Sequence, residues 1–151
     1  MSGAKACALY DTKRGSTRKI VEWIAEVLRK EGFEVRLFTP RDEVPEDCSF
    51  FIVASPVYYE RPLKSVLEYV KEHEEFRGKK AFALIICTVP KALEDYAKRM
   101  YLAPLVKALE EAGAEVVGAF LLPGWIVRPS EECEAKAKEV VREMVALLRE
   151  G

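Results

Sequence analysis

Serine, threonine and basic side chains cluster between the first apolar run of the chain and its first amphipathic segment. This cluster, the first loop, consists of Thr12, Lys13, Arg14, Gly15, Ser16 and Thr17. Backbone N–H groups at a helix N-terminus favour a bound anion, and the positive end of the helix dipole strengthens that preference. A glycine lets the backbone approach such an anion closely. The first loop therefore predicts phosphate binding, with ordinary helix capping by its hydroxyls as the alternative.

Two further groups of residues could contact a planar ligand. The second loop consists of Ser55, Pro56, Val57, Tyr58 and Tyr59, and the third loop contains Thr88 and Val89. Tyrosine rings stack on flat aromatic molecules, and a threonine hydroxyl or a backbone N–H can bond to the polar edge of such a ring. If the three loops converge, they suit a flat aromatic molecule that carries a terminal phosphate.

The elements that would position these loops follow from the apolar pattern. Four apolar runs predict strands buried on both faces, at 5–10, 50–55, 80–87 and 115–122. The alternating segment 34–38 predicts an edge strand with one wet face. Helices are predicted at 16–31, 62–76, 91–112 and 130–149, with Pro104 restarting or kinking the third and Ser130 capping the fourth. The connection 39–49 is too short and too rich in proline for more than a turn of helix.

Strict alternation of strands and helices predicts right-handed crossovers onto a parallel sheet. The expected fold is a single α/β domain over residues 1–151, a three-layer sandwich around a five-stranded sheet of order 2-1-3-4-5. In such sheets ligands bind beyond the carboxyl ends of the strands, where the strand order reverses. For this order that point lies between strands 1 and 3, which carry the first and second loops.

Composition narrows the possible functions. The chain has 151 residues and a net charge of −1, so it lacks the basic field typical of proteins that bind nucleic acids. No apolar run approaches the roughly 20 residues that a membrane span needs. We expect a cytoplasmic protein, since the N-terminal residues do not resemble a signal peptide.

The cysteines and the single histidine suggest no metal site. Cys7 and Cys87 lie in apolar strand-like runs and are interpreted as free thiols of the core. No pair of cysteines has the spacing of a zinc knuckle or a dithiol motif. His73 is expected at a solvated helix end, and Trp23 is expected to pack against the sheet. None of these residues is a candidate for catalysis.

The first loop resembles the FMN-phosphate signature of flavodoxins. In that signature an aromatic residue is followed by a hydroxyl residue, a small residue and a threonine at fixed positions, which Tyr10, Thr12, Gly15 and Thr17 match. The second loop is similar to the loop that flanks the flavin ring in flavodoxin-like domains. Ala8 and Val21 depart from the usual residue types, but both concern packing. The resemblance covers the whole chain in element order.

This resemblance implies that the chain binds FMN and transfers electrons between a donor and an acceptor, either proteins or small molecules. It assigns cofactor binding to the residues of the three loops named above. One departure would affect the redox chemistry. Many relatives have glycine where this chain has Glu60. If that position needs a positive φ, a side chain there costs roughly 1–2 kcal/mol. We therefore expect Glu60 to disfavour the one-electron-reduced flavin.

Two alternatives remain open from the residues. The chain could be an FMN-dependent oxidoreductase of the protoporphyrinogen or quinone dehydrogenase type, although such proteins carry a long insertion for which segments 88–104 and 123–129 offer little room. It could also keep the fold without a cofactor, as receiver domains do. Receiver domains gather acidic residues at the ends of strands 1 and 3, where this chain has Asp11 alone and Ser55. The sequence does not identify the electron donor, the acceptor or the oligomeric state.

Overall fold

A parallel sheet with helices on both faces forms the body of the protein. The computed structural model describes residues 4–12, 15–58, 61–124 and 131–150. The strands are β1 (Lys5–Tyr10), β2 (Glu34–Phe38), β3 (Phe50–Tyr58), β4 (Arg61–Pro62), β5 (Lys80–Ile86) and β6 (Glu115–Leu122). The parallel strands have the order β2-β1-β3-β5-β6, and the short β4 pairs antiparallel with β3. The predicted order of the five parallel strands is confirmed.

Helices connect the parallel strands. They are α1 (Ser16–Lys30), α2 (Lys64–Glu72), α3 (Glu94–Ala97), α4 (Ala103–Glu111) and α5 (Glu131–Glu150). Short 3-10 turns occupy Glu74–Phe76 and Lys91–Leu93, and a π-helical turn spans Lys98–Leu102 between α3 and α4. The π turn ends just before Pro104, whose ring has no N–H and crowds the carbonyl four residues back, so the helix widens there. Ser130, the predicted cap of the last helix, lies outside the described residues.

Alternation along the strands divides the core into two clusters. Ala6 and Ala8 of β1 face the cluster that contains α1 and α5, while Cys7 and Leu9 face the cluster that contains α2 and α4. Successive strand side chains point to opposite faces, so an apolar run buries both. Trp23 belongs to the first cluster, as its predicted packing requires. Within the described ranges, no helix combines the length and apolar character needed to cross a bilayer.

Two strand predictions are corrected. The third strand does not end at Ser55 but continues to Tyr58, because it folds back on β4 as a hairpin. The strand at 115–122 was expected to be buried on both faces, and most of its residues are only half-buried. It forms the outer edge of the sheet beside β5, and no other strand of the described residues pairs with its far side.

The interpretation of Cys7 as a free thiol was wrong. Cys7 forms a disulfide with Cys48, across 41 residues of sequence, and both residues are buried. The bridge joins β1 to the connection that precedes β3. Sequence spacing gave no signal for it, because disulfide partners are set by proximity in the fold. Cys87 and Cys133 are not part of this disulfide, and Cys87 is partly buried rather than fully in the core.

Candidate functional site

The three predicted loops lie at the carboxyl ends of three neighbouring strands, β1, β3 and β5. Tyr10 of β1 pairs with Ala54 of β3, and Pro56 of β3 pairs with Ile86 of β5. Since these strands are parallel, their carboxyl ends lie side by side. The loops that follow β1 and β5 therefore flank the β3–β4 hairpin, as expected for a switch-point site.

The first loop is closed by a hydrogen bond from backbone to side chain. The Gly15 N–H donates to Thr12 Oγ1 at 2.8 Å. Gly15 has a φ of 89° and is the N-cap residue of α1, so the turn uses the left-handed conformation that glycine adopts without strain. Thr12 Oγ1 is the acceptor in this bond. None of the described residues accepts a hydrogen bond from the Thr12 O–H. That O–H is available to an anion.

The N-cap residue of α1 is Gly15, which has no side chain to cap the helix. Among the described residues, no side chain accepts the N–H groups of Ser16, Thr17 or Arg18, and the first turn has no acidic residue. Helix N-termini present several N–H groups without partners inside the helix. Ordinary capping, the alternative interpretation of the first loop, describes the bond that Thr12 Oγ1 accepts from the Gly15 N–H, but it does not account for the hydroxyls of Ser16 and Thr17. The uncapped terminus suits an anion.

Thr17 provides the observation that tests whether a phosphate group fits. The residue is fully buried, and its Oγ1 has no hydrogen-bond partner among the residues that the structure describes. A buried polar atom left unpaired costs about 1–3 kcal/mol. A phosphate oxygen at the N-terminus of α1 is an acceptor that would satisfy this hydroxyl. The described residues of the first loop thus fit a bound phosphate.

Gly124, which sequence reasoning missed, packs the loop after β6 against the first loop. A Cβ atom on Gly124 would lie 2.7 Å from Ile86 Cγ2 and 3.4 Å from Ser16 Oγ. Only a glycine allows this close approach without a shift of Ile86. Gly124 follows Pro123 directly after a strand, a turn-like pair that could have drawn attention to it.

The hydroxyl of the second loop is engaged with the protein. Ser55 is fully buried; its Oγ donates to the Pro56 carbonyl oxygen and accepts from the Leu63 N–H, both at 2.8 Å. The bond from Leu63 ties the residue after β4 back to β3. Pro56 and Val57 are partly buried in β3.

The hydroxyl of the third loop is engaged in the same way. Thr88 Oγ1 donates to the Gly124 carbonyl oxygen at 2.9 Å and accepts from the Gly124 N–H at 3.1 Å. Beside it lies an open cavity of about 440 Å³ whose lining includes Val89, Gly124, Cys87 and Cys133. Burial raises the pKa of the Cys87 thiol, so the neutral form is favoured. The third loop is thereby fixed to the loop after β6.

A family comparison agrees with this geometry. A family model described as the flavodoxin domain matches residues 7–122, which include every described residue of the three loops. The chain belongs to the flavodoxin domain family. No curated protein matches its sequence.

Solved structures show the same fold as this flavodoxin domain. Oxidised flavodoxin 1 from Bacillus cereus is 20% identical, with a TM-score of 0.71 over 95% of this chain and 98% of that one. A Fusobacterium nucleatum flavodoxin bound to flavin mononucleotide is 17% identical, with a TM-score of 0.63 over 94% and 97% of the two chains. Rubredoxin:oxygen oxidoreductase from Desulfovibrio gigas is 21% identical, with a TM-score of 0.63; the match covers 97% of this chain and 37% of that one.

Several predicted site residues of this flavodoxin domain are beyond what the structure describes. Lys13 and Arg14 of the first loop lie outside the described residues, as do Tyr59 and Glu60. Tyr58 is the last residue of β3. The expected contacts of these residues with a cofactor stay predictions.

Three polar residues that the sequence reasoning did not assign to the site adjoin the first loop. Asp11 Oδ1 accepts from the Thr12 N–H, and Asp11 Oδ2 accepts from the Ser65 hydroxyl, both at 2.8 Å. Arg41 lies with its Nη2 atom 3.7 Å from Asp11 Oδ1. The position of Asp11 directly after β1 could have indicated its place at the site, whereas Ser65 and Arg41 arrive from distant parts of the sequence.

Proposed function

We propose that this flavodoxin-domain protein binds FMN non-covalently, one per chain, and acts in electron transfer. The unpaired and buried Thr17 Oγ1 at the uncapped N-terminus of α1 carries this proposal. The F. nucleatum neighbour is bound to flavin mononucleotide, which supports the same cofactor here. When bound, the isoalloxazine ring of FMN supplies one- and two-electron redox chemistry.

The first loop would hold the phosphate of FMN. Thr12 and Thr17 would each donate a hydroxyl hydrogen bond, and the N–H groups at the start of α1 would add to them. Lys13 and Arg14 are proposed to supply positive charge, and Gly15 the close backbone approach. Ser16, which is buried next to Gly124, would contribute its hydroxyl or its N–H.

The second and third loops would hold the ring. Tyr58 or Tyr59 is proposed to stack on the isoalloxazine, with Pro56 and Val57 beside it. The side chains of Ser55 and Thr88 already have backbone partners. These two residues would therefore act through their backbone groups and by keeping the loops rigid. Val89 would contribute a backbone N–H and apolar contact.

An electron carrier is favoured over an oxidoreductase of the protoporphyrinogen or quinone dehydrogenase type. Relatives of that type have a long insertion in the second half of the fold. In this chain the helical segments from Lys91 to Glu111 occupy that stretch, and they connect β5 to β6 directly. The proposed partners are an electron donor and an electron acceptor.

The decisive experiment is a titration of the purified protein with FMN and with riboflavin. Fluorescence of the flavin should be quenched on binding because the ring stacks on a tyrosine. FMN should bind far more tightly than riboflavin, since only FMN carries the phosphate. Equal affinity for the two flavins, or no binding of either, would contradict the proposal.

The cytoplasmic location expected from the sequence stays a prediction. The Cys7–Cys48 disulfide makes that prediction worth testing, because cytosolic proteins rarely keep disulfides except in hyperthermophiles. Trapping of free thiols in freshly lysed cells, followed by mass spectrometry of the Cys7 and Cys48 peptides, would show whether the bridge exists in the compartment where the protein works.

A further inference from the structure

The carboxylate of Asp11 lies next to a loop proposed to bind a dianion, where a second negative charge should weaken binding. The side chain of Asp11 is only 15% exposed, so its charge is poorly screened by water. A carboxylate at this position therefore needs another role that accounts for it. The contacts of its two oxygens suggest that role.

Both oxygens of Asp11 hold parts of the site in position. Oδ1 accepts from the Thr12 N–H, which orients the backbone at the start of the first loop. A second hydrogen bond, from the Gly15 N–H to Thr12 Oγ1, closes the loop. Oδ2 accepts from Ser65, the second residue of α2, and so connects the first loop to the helix that follows the β3–β4 hairpin.

The charge of Asp11 also has a counter-charge. Arg41 belongs to the connection between β2 and β3, and its guanidinium lies 3.7 Å from Asp11 Oδ1 with 75% of its side chain exposed. An exposed pair of this kind contributes little to stability. It does reduce the field that the carboxylate would otherwise exert on an anion in the first loop.

We propose that Asp11 is a positioning residue of the phosphate loop, which it orients through Thr12 while Arg41 offsets its charge. This inference rests on the proposed binding of FMN. On this proposal, the preference for a phosphate ester depends on the shape that Asp11 imposes on the first loop. It also depends on the hydroxyls that would touch the phosphate.

The test compares the affinities for FMN and riboflavin in the full chain and in Asp11→Ala, Asp11→Asn and Ser65→Ala. Asp11→Ala removes both bonds and should weaken FMN about ten-fold, with riboflavin affinity nearly unchanged. Asp11→Asn keeps an acceptor for the Thr12 N–H and can donate to the Ser65 hydroxyl. It should therefore retain or improve FMN affinity. Ser65→Ala should show a smaller loss of FMN affinity than Asp11→Ala.

Amide hydrogen exchange in the flavin-free protein provides a readout that does not depend on the cofactor. The Thr12 and Gly15 amides should exchange slowly in the unmodified chain and in Asp11→Asn, and faster in Asp11→Ala. A purely structural role would instead lower the affinity for both flavins alike.

Arg41→Gln completes the design as a double-mutant cycle with Asp11→Asn. At low salt Arg41→Gln should weaken FMN about three-fold, an effect that should vanish in the Asp11→Asn background and at high salt.

The possible failures are distinguishable. An unmodified chain that binds FMN and riboflavin equally would overturn the proposed function and this role with it. An unmodified chain that prefers FMN, with an equal preference in Asp11→Ala, would overturn the role of Asp11 alone.

Discussion

The first loop differs from the second and third loops in how its hydroxyl groups are used. Thr17 Oγ1 in the first loop is buried and has no hydrogen-bond partner in the described part of the chain. The Ser55 and Thr88 hydroxyls each make two hydrogen bonds to backbone groups, and in each case at least one partner belongs to another segment. Thr17 and Thr88 follow β1 and β5, and Ser55 lies near the carboxyl end of β3, between them. The three residues are thus at the same end of the parallel strands, so their location alone does not account for the difference.

The difference indicates that the first loop has a different role in the site from the other two loops. Loops whose polar groups are satisfied by the protein are already ordered before a ligand arrives, and preorganisation reduces the cost of binding. A loop that leaves a buried hydroxyl unpaired gives up about 1–3 kcal/mol of stability until an acceptor is present. Removing hydroxyls of the first loop should therefore change binding, whereas removing those of the other two loops should change stability.

The largest expected effect separates global stability from binding. The Cys7–Cys48 bridge closes a loop of 41 residues, so Cys7→Ala/Cys48→Ala should lower the free energy of unfolding by about 4 kcal/mol in the chain-entropy model. Chemical denaturation measures this loss, with Cys87→Ala as the control for a cysteine outside the bridge. The ratio of FMN to riboflavin affinity should stay unchanged. A changed ratio would mean that the bridge shapes the first loop directly.

Thr17→Val should weaken FMN by about 1.5–3 kcal/mol, the usual worth of a hydrogen bond to a charged group. Valine has nearly the same shape and removes the unpaired buried oxygen, so the flavin-free protein should become more stable or stay as stable. Thr12→Ala should weaken FMN to a similar degree. Thermal unfolding of the apoprotein and FMN titration measure the two quantities. A loss of apoprotein stability as large as the loss of binding would support helix capping instead.

Ser55→Ala should lower the stability of the apoprotein by about 1–3 kcal/mol, because the buried Leu63 N–H loses its acceptor. Thr88→Val, at an exposed position, should cost about 1 kcal/mol or less. Neither variant should alter the preference for FMN over riboflavin. Denaturation curves and paired flavin titrations test both statements. A selective loss of FMN affinity in either variant would place its hydroxyl in phosphate binding and abolish the contrast between the loops.

Gly15→Ala should lower the stability of the apoprotein by about 1–2 kcal/mol. No atom lies within 4 Å of a Cβ added at Gly15, so the cost comes from its φ of 89° rather than from a clash. Gly15→Asn should recover part of the loss, since asparagine tolerates the left-handed region better than alanine does. Unfolding of both apoproteins measures the difference. Equal stability of the alanine and asparagine variants would show that backbone conformation is not limiting here.

Local patterns predicted most of the fold correctly. The apolar run Lys5–Tyr10, the alternating segment Glu34–Phe38 and the periodic helix Ser16–Lys30 appear within a residue or two of their expected bounds. Each depends on side chains near one another in sequence, which is why periodicity detects them. The extension of β3 was missed because it depends on pairing with Arg61–Pro62 across the hairpin.

The sequence by itself determined the parallel α/β fold and the composition of the first loop. Strand and helix periodicity, the order of the elements and the motif from Tyr10 to Thr17 are all local properties of the chain. They were sufficient for the flavodoxin resemblance and for the prediction that FMN is the cofactor.

Only the tertiary structure decided which polar groups remain available to a ligand. Ser55 and Thr88 have the same hydroxyl chemistry as Thr17, but their partners Leu63 and Gly124 come from other loops. Asp11 likewise meets Ser65 and Arg41 from segments 54 and 30 residues away. Hydrogen bonds and disulfides depend on distances of a few ångströms between segments that are remote in sequence. No local pattern encodes those distances.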